Sequence, residues 1–365
     1  MNKATIKELK KAPGRLVDMC ISSRRDPFTI IADYLILRYR LGLEFNEYYD
    51  FEFEKGDKVL RDTYLCTKEK LKYLSYLNSL DRYYILARNK YLTYLLFKNQ
   101  EIPSAELLLY YDPMMRSPEE NYCSTLKEVE EFLISNNPAE FFTKPAESSW
   151  GRGVMSFNRV ILGNGSLWLE RWDGKTLSLE EIVKQIPLLF EKKVRQTEQL
   201  NAINPSSTNT IRFWTTLHPG GKVAVINAVI KFGRSFACVD NCGHGGNIDA
   251  VVDLETGKMH RVMNFLGYRK MTPVTRHPDS KERIEGVVIE NWAEIIEQLI
   301  GFHRRIPFLK VIAWDIAITD NGAVAIEIND IFDNTGQGLI GKGWKYEVRE
   351  CYKDWKLYDE RRKTG

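Results

Sequence analysis

A predicted hairpin near the end of the chain carries an acidic residue on each of its two arms. Its strands, residues 310–319 and 323–328, are rich in apolar side chains, and the sequence Asp320-Asn321-Gly322 between them is typical of a tight turn. With these three residues as the loop, Asp315 falls directly opposite Glu327. The hairpin therefore brings two carboxylates together on a ribbon that is otherwise largely apolar.

Two carboxylates in such a place need a positive charge beside them, because like charges on a buried ribbon repel each other. Asn329 lies on the same face as Glu327 and adds an amide oxygen. Oxygen ligands favour a hard divalent cation, Mg²⁺ or Mn²⁺, over zinc. The sequence thus predicts a metal site at Asp315, Glu327 and Asn329. The alternative is that one of the acids pairs with a core arginine.

A second segment has the residue types of a phosphate-binding loop. Lys144 ends an apolar predicted strand, and the loop 146–154 after it contains two serines and the glycines Gly151 and Gly153. A lysine ammonium and the backbone N–H groups of such a loop can hold phosphate oxygens. The segment matches neither Gly-x4-Gly-Lys-Ser/Thr nor Gly-x-Gly-x-x-Gly. The alternative is a plain hairpin between two strands.

Two cations lie on neighbouring predicted strands in the second half of the chain. Arg212 projects from one face of the strand 210–217, and Lys231 is near the end of the strand 222–232. An arginine on a central strand needs an anion, which can be a structural carboxylate or a phosphate. The loop 240–247 that follows has three glycines with Asp and Asn, which indicates close approach of the backbone to a ligand or to another loop.

The composition excludes several classes of protein. The chain has 365 residues, of which 44% are hydrophobic and 28% charged, as in a folded protein rather than a disordered one. The net charge is only +3, far below that of typical nucleic-acid binders. No apolar run approaches the roughly 18–20 residues that cross a bilayer, and the basic N-terminus lacks the apolar stretch of a secretory signal. We therefore expect a cytoplasmic protein with no membrane span and no nucleic-acid partner.

Cysteine and histidine at positions 238, 242 and 244 raise the question of zinc. A fourth ligand is not evident, and Cys-x3-Cys without a second pair is a poor match to zinc-site spacings. The six cysteines are scattered through a large chain, so reduced thiols are the simpler interpretation. No serine lies in a Gly-x-Ser-x-Gly elbow, and hydrolase chemistry has no support.

Changes in hydrophobic period divide the chain into four predicted segments. Residues 1–80 form a helical N-terminal cap, whose apolar residues recur at helical spacing in Phe28-Ile31-Leu35 and Leu71-Leu74-Leu77. Residues 81–138 hold one strand and one helix, residues 139–204 hold short strands with a helix, and residues 205–365 hold longer strands with a helix near 284–300. The pattern predicts a mixed α+β fold with two α+β units behind the cap.

Two of the predicted helices begin with the spacing of a capping box. Thr125 and Glu128 mark the first, and Ser178 and Glu181 mark the second. We expect the second helix to run to residue 187 or 189.

The motifs described above, together with a further segment at residues 89–104, occur along the chain in an order that resembles the ATP-grasp superfamily. They are most similar to the sugar-transfer-associated ATP-grasp proteins. The resemblance spans roughly residues 85–342. Two residues depart from the pattern of these proteins: Asn89 occupies a position where they usually have an aspartate, and Lys231 a position where an arginine is expected. The segments that carry the resemblance are Asn89-Lys90 with Glu101-Ile102-Pro103-Ser104, Lys144 with the 148–153 loop, Asn209-Thr210-Ile211-Arg212, the 240–246 loop, and Trp314-Asp315-Ile316-Ala317 with Glu327-Ile328-Asn329.

The resemblance implies an ATP-grasp fold in which two α+β subdomains sandwich ATP. Magnesium ions on Asp315, Glu327 and Asn329 would bridge the β- and γ-phosphates, while Arg212 and Lys231, as catalytic residues, would stabilise the transferring phosphoryl group. Glu191 is the candidate for the hinge that holds the adenine. The cofactor-binding residues that the resemblance implies are Lys90, Lys144, Ser148, Ser149, Gly151, Gly153, Glu191 and Asn209.

The activity that the resemblance implies is an ATP-dependent carboxylate–amine ligase. A carboxylate would attack the γ-phosphorus to give an acyl phosphate, which an amine would then capture. The substrates would be a small carboxylate and a small amine, with a sugar acid or amino acid in surface polysaccharide or natural-product biosynthesis as examples. The acceptor pocket is expected between the segments 240–247 and 330–342. The alternatives are a kinase that phosphorylates a hydroxyl and a nucleotide-binding protein without turnover.

Overall fold

The computed structural model describes residues 3–114, 121–148, 151–163, 166–183, 186–238, 240 and 246–364. The helices are α1 (Lys3–Ser23), α2 (Pro27–Leu41), α3 (Phe45–Asp50), α4 (Lys58–Thr63), α5 (Thr67–Leu77), α6 (Leu80–Arg88), α7 (Lys90–Asn99), α8 (Leu126–Asn136), α9 (Leu179–Val183), α10 (Glu198–Ile203), α11 (Trp292–Arg304), α12 (Thr335–Ile340) and α13 (Lys345–Thr364), with short 3-10 turns at Phe53–Lys55 and Pro219–Gly221. None of the described helices is long and apolar enough to cross a lipid bilayer.

The strands form two sheets, and the mixed α+β fold class is as predicted. The strands are β1 (Leu107–Tyr111), β2 (Tyr122–Cys123), β3 (Phe141–Pro145), β4 (Met155–Gly163), β5 (Ser166–Arg171), β6 (Thr176–Ser178), β7 (Leu188–Lys192), β8 (Thr210–Leu217), β9 (Val223–Phe232), β10 (Asn247–Val252), β11 (Met259–Phe265), β12 (Met271–Pro273), β13 (Val311–Thr319) and β14 (Gly322–Asn329). The first sheet has the order β2-β1-β7-β3-β4-β5-β6, and the second has the order β12-β11-β10-β9-β8-β13-β14.

The described part of the first 80 residues is mostly helical, as predicted, but in one helix the buried side chains are not those whose spacing indicated the helix. In α2 the buried side chains are those of Ile30 and Leu37, whereas Phe28, Ile31 and Leu35 are exposed. Helical spacing identified the helix correctly because several sets of positions in a short helix have that spacing. It did not identify which face is buried, because that depends on the neighbouring helices.

The first sheet contains a strand that the sequence did not predict. Helix α9 begins as expected, since the Ser178 backbone N–H donates to the Glu181 carboxylate at 2.8 Å, but its described part ends at Val183. Pro187 then leads directly into β7, which pairs with both β1 and β3. Because β1 lies before residue 139, the sheet runs through the predicted boundary at 138. The division into four segments remains a prediction.

The second sheet is antiparallel throughout and has helices on both faces. Helix α11 packs on one face, where it contributes Ile295, Leu299 and Phe302 to the core; it begins at Trp292, later than predicted. Helices α5 and α13 cover part of the other face around Trp214 and Trp344, whose rings lie 4.6 Å apart.

The hairpin β13–β14 has the predicted pairing of Asp315 with Glu327, but its loop differs from the prediction. Thr319 pairs with Gly322, so the loop has two residues rather than three. A bulge restores the register, because Asp315 pairs with Glu327 whereas Ile316 pairs with Ala325. The extra residue is Ile326. Bulges re-aim side chains, and here neighbouring Ile326 and Glu327 both face the same cavity.

A buried histidine under this hairpin gives a testable pH dependence. His303 in α11 is fully buried, and its Nε2 donates to the Leu309 carbonyl at 3.0 Å. Its Nδ1 has no hydrogen-bond partner among the described residues. Burial lowers the pKa of His303 from 6.5 to about 4. The unfolded chain therefore binds a proton in this range that the folded chain does not, and stability must fall as the pH falls from 6.5 towards 4.

We expect the wild-type protein to lose roughly 2–3 kcal/mol more between pH 7 and pH 4.5 than His303→Gln loses. Urea denaturation at the two pH values measures the difference. The exposed His260 provides a matched control, and His260→Gln should follow the wild type. An equal pH dependence in wild type and His303→Gln would show that His303 does not titrate as described.

Candidate active site

A cavity of about 1120 Å³ lies between the two sheets. We call it the inter-sheet cavity. Strands β3 and β7 of the first sheet line one side of it, and β8, β9, β13 and β14 of the second sheet line the other. Its charged lining residues are Lys90, Lys144, Glu191, Lys192, Lys231, Asp240, Asp315 and Glu327. Most of the side chains singled out by the sequence therefore meet in one place.

Lys90 is held at the start of α7 and points to the loop after β3. The Asn89 side chain caps the helix by accepting from the Leu92 N–H at 3.1 Å. The Lys90 Nζ donates to the Ser148 carbonyl at 2.6 Å, and its backbone N–H donates to the Ala146 carbonyl at 2.8 Å. Burial lowers the pKa of Lys90, and the nearby Glu327 partly opposes this. The predicted entry segment and loop thus lie against each other.

Lys144 and Glu191 form an ion pair inside the cavity. They lie on the paired strands β3 and β7, and the Lys144 Nζ is 2.5 Å from a Glu191 carboxylate oxygen. Both side chains are largely buried. The ammonium of Lys144 keeps two further N–H donors for a ligand. Glu191, Lys192 and Val194 line the cavity together at the end of β7.

Arg212, Lys231 and Asp315 form a compact hydrogen-bonded network on neighbouring strands of the second sheet, and Glu327 lies beside it. In register, Glu327 on β14 lies beside Asp315 on β13, which lies beside Arg212 on β8. Arg212 donates to the two Asp315 oxygens at 2.6 and 2.8 Å. Lys231 donates to Asp315 Oδ1 at 3.1 Å. Burial alone would raise the pKa of Asp315, but the two cations hold it at about 2.

This pairing of Asp315 with a core arginine is the alternative that the sequence left open. An ionised carboxylate offers about four lone-pair sites, and Arg212 and Lys231 use three of those of Asp315. One site remains, on Oδ2. A metal ion at Asp315 would therefore share the carboxylate with Arg212 rather than hold it alone.

Glu327 and Asn329 have side-chain oxygens that accept no hydrogen bond from the described residues. Glu327 makes no hydrogen bond or ion pair with any described residue, and burial raises its pKa, an effect that Lys90 opposes. The Asn329 amide donates to the Ala313 carbonyl at 3.4 Å, which leaves its Oδ1 available. Two carboxylates and an amide oxygen suit Mg²⁺. Among the described residues no group of three or more His, Cys, Asp or Glu side chains could hold a metal, so Asn329 is needed to complete the donor set.

Not every predicted site residue reaches the cavity. The Asn209 side chain donates to the Asn204 carbonyl at 2.8 Å and to Gln196 Oε1 at 2.9 Å, and is fully buried. It holds the turn before β8 and is not among the cavity-lining residues. Gly151 and Ser148 do line the cavity. Ser149 lies outside the described residues.

Gly153 affects the backbone path of the loop rather than the cavity lining. Its φ is +74°, and a Cβ there would lie 2.8 Å from Pro145 Cγ. Both facts exclude a larger residue without a shift of the loop. Gly153 is therefore needed for the path of the chain rather than as a lining residue.

The three residues considered as zinc ligands, Cys238, Cys242 and His244, lie in a segment that the structure describes only in part. Cys238 is a free thiol whose pKa is raised by burial. Cys242 and His244 lie outside the described residues. Asp240 is described and accepts from the Thr210 backbone N–H at 2.8 Å, which ties the start of this loop to β8.

A second cavity of about 1060 Å³ adjoins the first. We call it the loop-side cavity. It shares Gly151, Lys231, Asp315 and Glu327 with the inter-sheet cavity. Its other lining residues are Arg212, Trp214, Val229, Asn247, Asp249, Asn329, Ile331, Phe332, Asp333, Thr335, Gly336 and Leu339. Residues from both segments predicted for the acceptor pocket are thus among them.

The N-terminal helices hold one wall of this second cavity, which the sequence did not predict. Lys70 of α5 is buried, and its Nζ donates to the carbonyl of Phe332 and, at 2.7 Å, to the Asn334 side chain. The Asn334 amide donates to the buried Glu47 of α3 at 3.0 Å. Burial lowers the pKa of Lys70 to about 8. A lysine at helical spacing with the buried Tyr73, Leu74 and Leu77 was the available signal.

A family model described as "Sugar-transfer associated ATP-grasp" matches residues 68–343 of the chain. No protein with a curated description matches. Solved structures that match this chain in part include the D-alanine–D-alanine ligase of Helicobacter pylori, with 14% identity, a TM-score of 0.41 and coverage of 74% of this chain and 61% of that one.

Two further solved structures show the same level of similarity. The biotin carboxylase of Campylobacter jejuni has 10% identity, a TM-score of 0.42 and coverage of 74% and 46%. The D-alanyl-alanine synthetase A of Vibrio cholerae has 12% identity, a TM-score of 0.40 and coverage of 73% and 65%. This chain spans less than two thirds of the length of each of these proteins. The family model covers well over half of the chain, which therefore belongs to the sugar-transfer-associated ATP-grasp family.

Proposed function

We propose that this protein is an ATP- and magnesium-dependent ligase that joins a carboxylate to an amine. The observation that carries the proposal is the arrangement of charge around the inter-sheet cavity. Lys90 and Lys144 present ammonium groups from one side, and Glu327 and Asn329 present free oxygens from the other. A triphosphate with its metal ion has the complementary pattern of charge.

The lysines would bind the phosphates of ATP. Lys144 has N–H donors beyond its pair with Glu191, and Lys90 can exchange the Ser148 carbonyl for a phosphate oxygen. The loop at Gly151 lines both cavities, so it is placed to cover the phosphates and exclude water. The base would lie towards Glu191 and Val194, with Glu191 as the candidate for the adenine hinge.

Glu327, Asn329 and the remaining site on Asp315 would hold Mg²⁺. A bound magnesium ion would neutralise charge on the phosphate oxygens. Arg212 and Lys231 lie on the same sheet face beside Asp315. Their role in the reaction would be to stabilise the negative charge of the phosphoryl group as it leaves ADP.

The reaction would have two steps. A carboxylate oxygen attacks the γ-phosphorus, the bond to the β-phosphate oxygen breaks, and ADP leaves with that electron pair. The amine, as its neutral free base, then attacks the carbonyl carbon of the acyl phosphate. The bond from that carbon to the phosphate oxygen breaks, inorganic phosphate leaves with the electron pair, and the nitrogen loses a proton to solvent. Neither step needs a side-chain nucleophile, since positioning and charge stabilisation suffice. We place the substrates among sugar acids and amino acids, and the protein in the cytoplasm, where ATP is available.

The proposal predicts that nucleotide binding depends on magnesium. Calorimetric titration with a non-hydrolysable ATP analogue should give at least tenfold tighter binding with Mg²⁺ than with EDTA. The Asp320→Asn variant, altered at the exposed end of the hairpin, is the control and should match the wild type. Equal affinity for the analogue with Mg²⁺ and with EDTA would contradict a role for the metal ion in nucleotide binding.

The reaction type is tested by incubating the protein with ATP, Mg²⁺ and pooled carboxylates and amines. The proposal predicts ADP and a condensed product whose mass equals the sum of the two substrates minus water. A phosphorylated alcohol would identify a kinase instead. Nucleotide binding without any product from a broad pool would favour a binding protein without turnover.

A further inference from the structure

The loop-side cavity contains a buried pair of polar side chains that the proposed reaction steps do not use. Asn247 and Asp249 stand on the same face of β10 and are 2% and 4% exposed. The Asn247 amide nitrogen donates to Asp249 Oδ1. The Asn247 Oδ1 has no hydrogen-bond partner among the described residues. Both side chains line the cavity.

The carboxylate of Asp249 has no cation in direct contact within the described part of the chain. Lys231, its cross-strand neighbour, is bonded to Asp315 at 3.1 Å and lies 4.0 Å from Asp240. Burial raises the pKa of Asp249 to about 7, against the opposing effect of Lys231, and Asp240 and Asp333 raise it further. A buried carboxylate in such a position lacks a positive partner.

Two acceptor atoms of this pair, Asn247 Oδ1 and Asp249 Oδ2, accept no hydrogen bond from the described residues. A primary ammonium group has three N–H donors and a positive charge, so it can satisfy both atoms and neutralise the carboxylate. A hydroxyl group has one donor and no charge, and would leave one acceptor unpaired and the carboxylate uncompensated.

Part of the lining of this cavity is apolar. Trp214, Val229, Phe332 and Leu339 line it and are all nearly fully buried. Phe332 is fixed by the bond from Lys70 to its carbonyl. Trp214 is packed against Trp344. A ligand in this cavity would therefore combine one amino group with an apolar or aromatic body.

We infer that Asp249 and Asn247 bind the amino group of the acceptor, and that this acceptor is a primary amine with an apolar body held between Trp214 and Phe332. The inference rests on the proposed ligase function and names the class of its second substrate. It also distinguishes a ligase from a kinase, because the pair discriminates an amine from an alcohol. Asp249 is a specificity-determining residue in this account.

The test compares 2-phenylethylamine with 2-phenylethanol, which differ in the amino and hydroxyl groups. Their affinities are measured by ligand-detected NMR titration of the full chain with ADP and Mg²⁺ present. The amine should bind wild type at least tenfold more tightly than the alcohol. Asp249→Asn should reduce this preference to less than twofold, since the ammonium then loses the charge-assisted hydrogen bond that the alcohol cannot make. Asp253→Asn, just beyond β10 where the carboxylate accepts from Thr256, should keep it.

Equal binding of the two probes by wild type, or no binding of the amine, would overturn the inference without reference to any variant. A preference that persists in Asp249→Asn would also overturn it. ADP binding is measured in the same samples. Loss of ADP binding would count against the proposed function, whereas intact ADP binding with no amine preference would count against this inference alone.

Discussion

Replacing Asp315 with alanine is expected to lower the free energy of unfolding by about 3–5 kcal/mol. The change removes the carboxylate that the mostly buried Arg212 and Lys231 contact at 2.6–3.1 Å. It leaves Arg212 without an ion-pair partner among the described residues, and Lys231 with only Asp240, at 4.0 Å. Breaking a buried ion pair by removing one partner is costly because the remaining charge has neither water nor a counter-ion. Urea denaturation of wild type and variant, fitted with a common slope, measures the difference.

An exposed ion pair provides the comparison for this prediction. Lys127 and Glu131 lie 3.6 Å apart on α8, with 83% and 64% of their side chains exposed. Glu131→Ala should change stability little, because surface pairs contribute little. If Asp315→Ala were as mild as Glu131→Ala, Arg212 and Lys231 would have to find other partners, and the description of the network would be wrong.

Glu327→Gln is expected to reduce ADP formation about 100- to 1000-fold, in the presence of the substrate pair identified by product analysis. The substitution keeps the size of the side chain and removes its charge. Loss of that charge weakens the hold on the metal ion and the stabilisation of the phosphoryl group, and 100- to 1000-fold corresponds to roughly 3–4 kcal/mol. Because Glu327 makes no hydrogen bond with the described residues, the fold should not depend on it.

Circular dichroism and thermal unfolding distinguish the catalytic role of Glu327 from a structural one. An unchanged melting temperature with lost turnover would support the proposed function. A collapsed spectrum would mean that the carboxylate stabilises the fold instead. Turnover within tenfold of wild type would show that Glu327 is not needed for the reaction.

Some charged residues of the inter-sheet cavity, including Asp315, Glu327 and Lys144, could be singled out from local sequence patterns. Lys90 and Glu191 came from the family resemblance, and Lys192 was not singled out. Alternation along the strands and a turn between them were enough to pair Asp315 with Glu327. The prediction of the loop was wrong by one residue, and the bulge at Ile326 compensated for that error. A bulge has no signature in the sequence of this hairpin, since Ile326 is an ordinary strand residue.

Features that depend on contacts between distant segments could not be predicted. Helical spacing alone could not show that Lys70 is bonded to the carbonyl of Phe332, which is 262 residues away in the sequence. Strand β7 also could not be predicted from local sequence, because it is stabilised by pairing with β1 on one side and β3 on the other. Asn209 was predicted at the nucleotide on family resemblance, and that stays a prediction; its side chain is hydrogen-bonded to Asn204 and Gln196.

The partners of Asp315 bear on the two alternatives that the sequence left open for this carboxylate. The sequence predicted that a carboxylate pair needs a positive charge, and offered a metal ion or an arginine. The structure supplies Arg212 for Asp315, and no cation of the described residues contacts Glu327 or Asn329. The metal site that we propose is therefore centred on Glu327 and Asn329, with one lone pair of Asp315 as its third ligand.

The most direct test of the account is anomalous diffraction from crystals of the protein with Mn²⁺ and a non-hydrolysable ATP analogue. The account predicts a manganese peak between the analogue's phosphates and the oxygens of Glu327 and Asn329, at roughly 2.0–2.2 Å from each ligand oxygen. It also predicts the ammonium groups of Lys90 and Lys144 on the phosphates. A nucleotide bound without a peak at Glu327, or a peak elsewhere in the molecule, would contradict it.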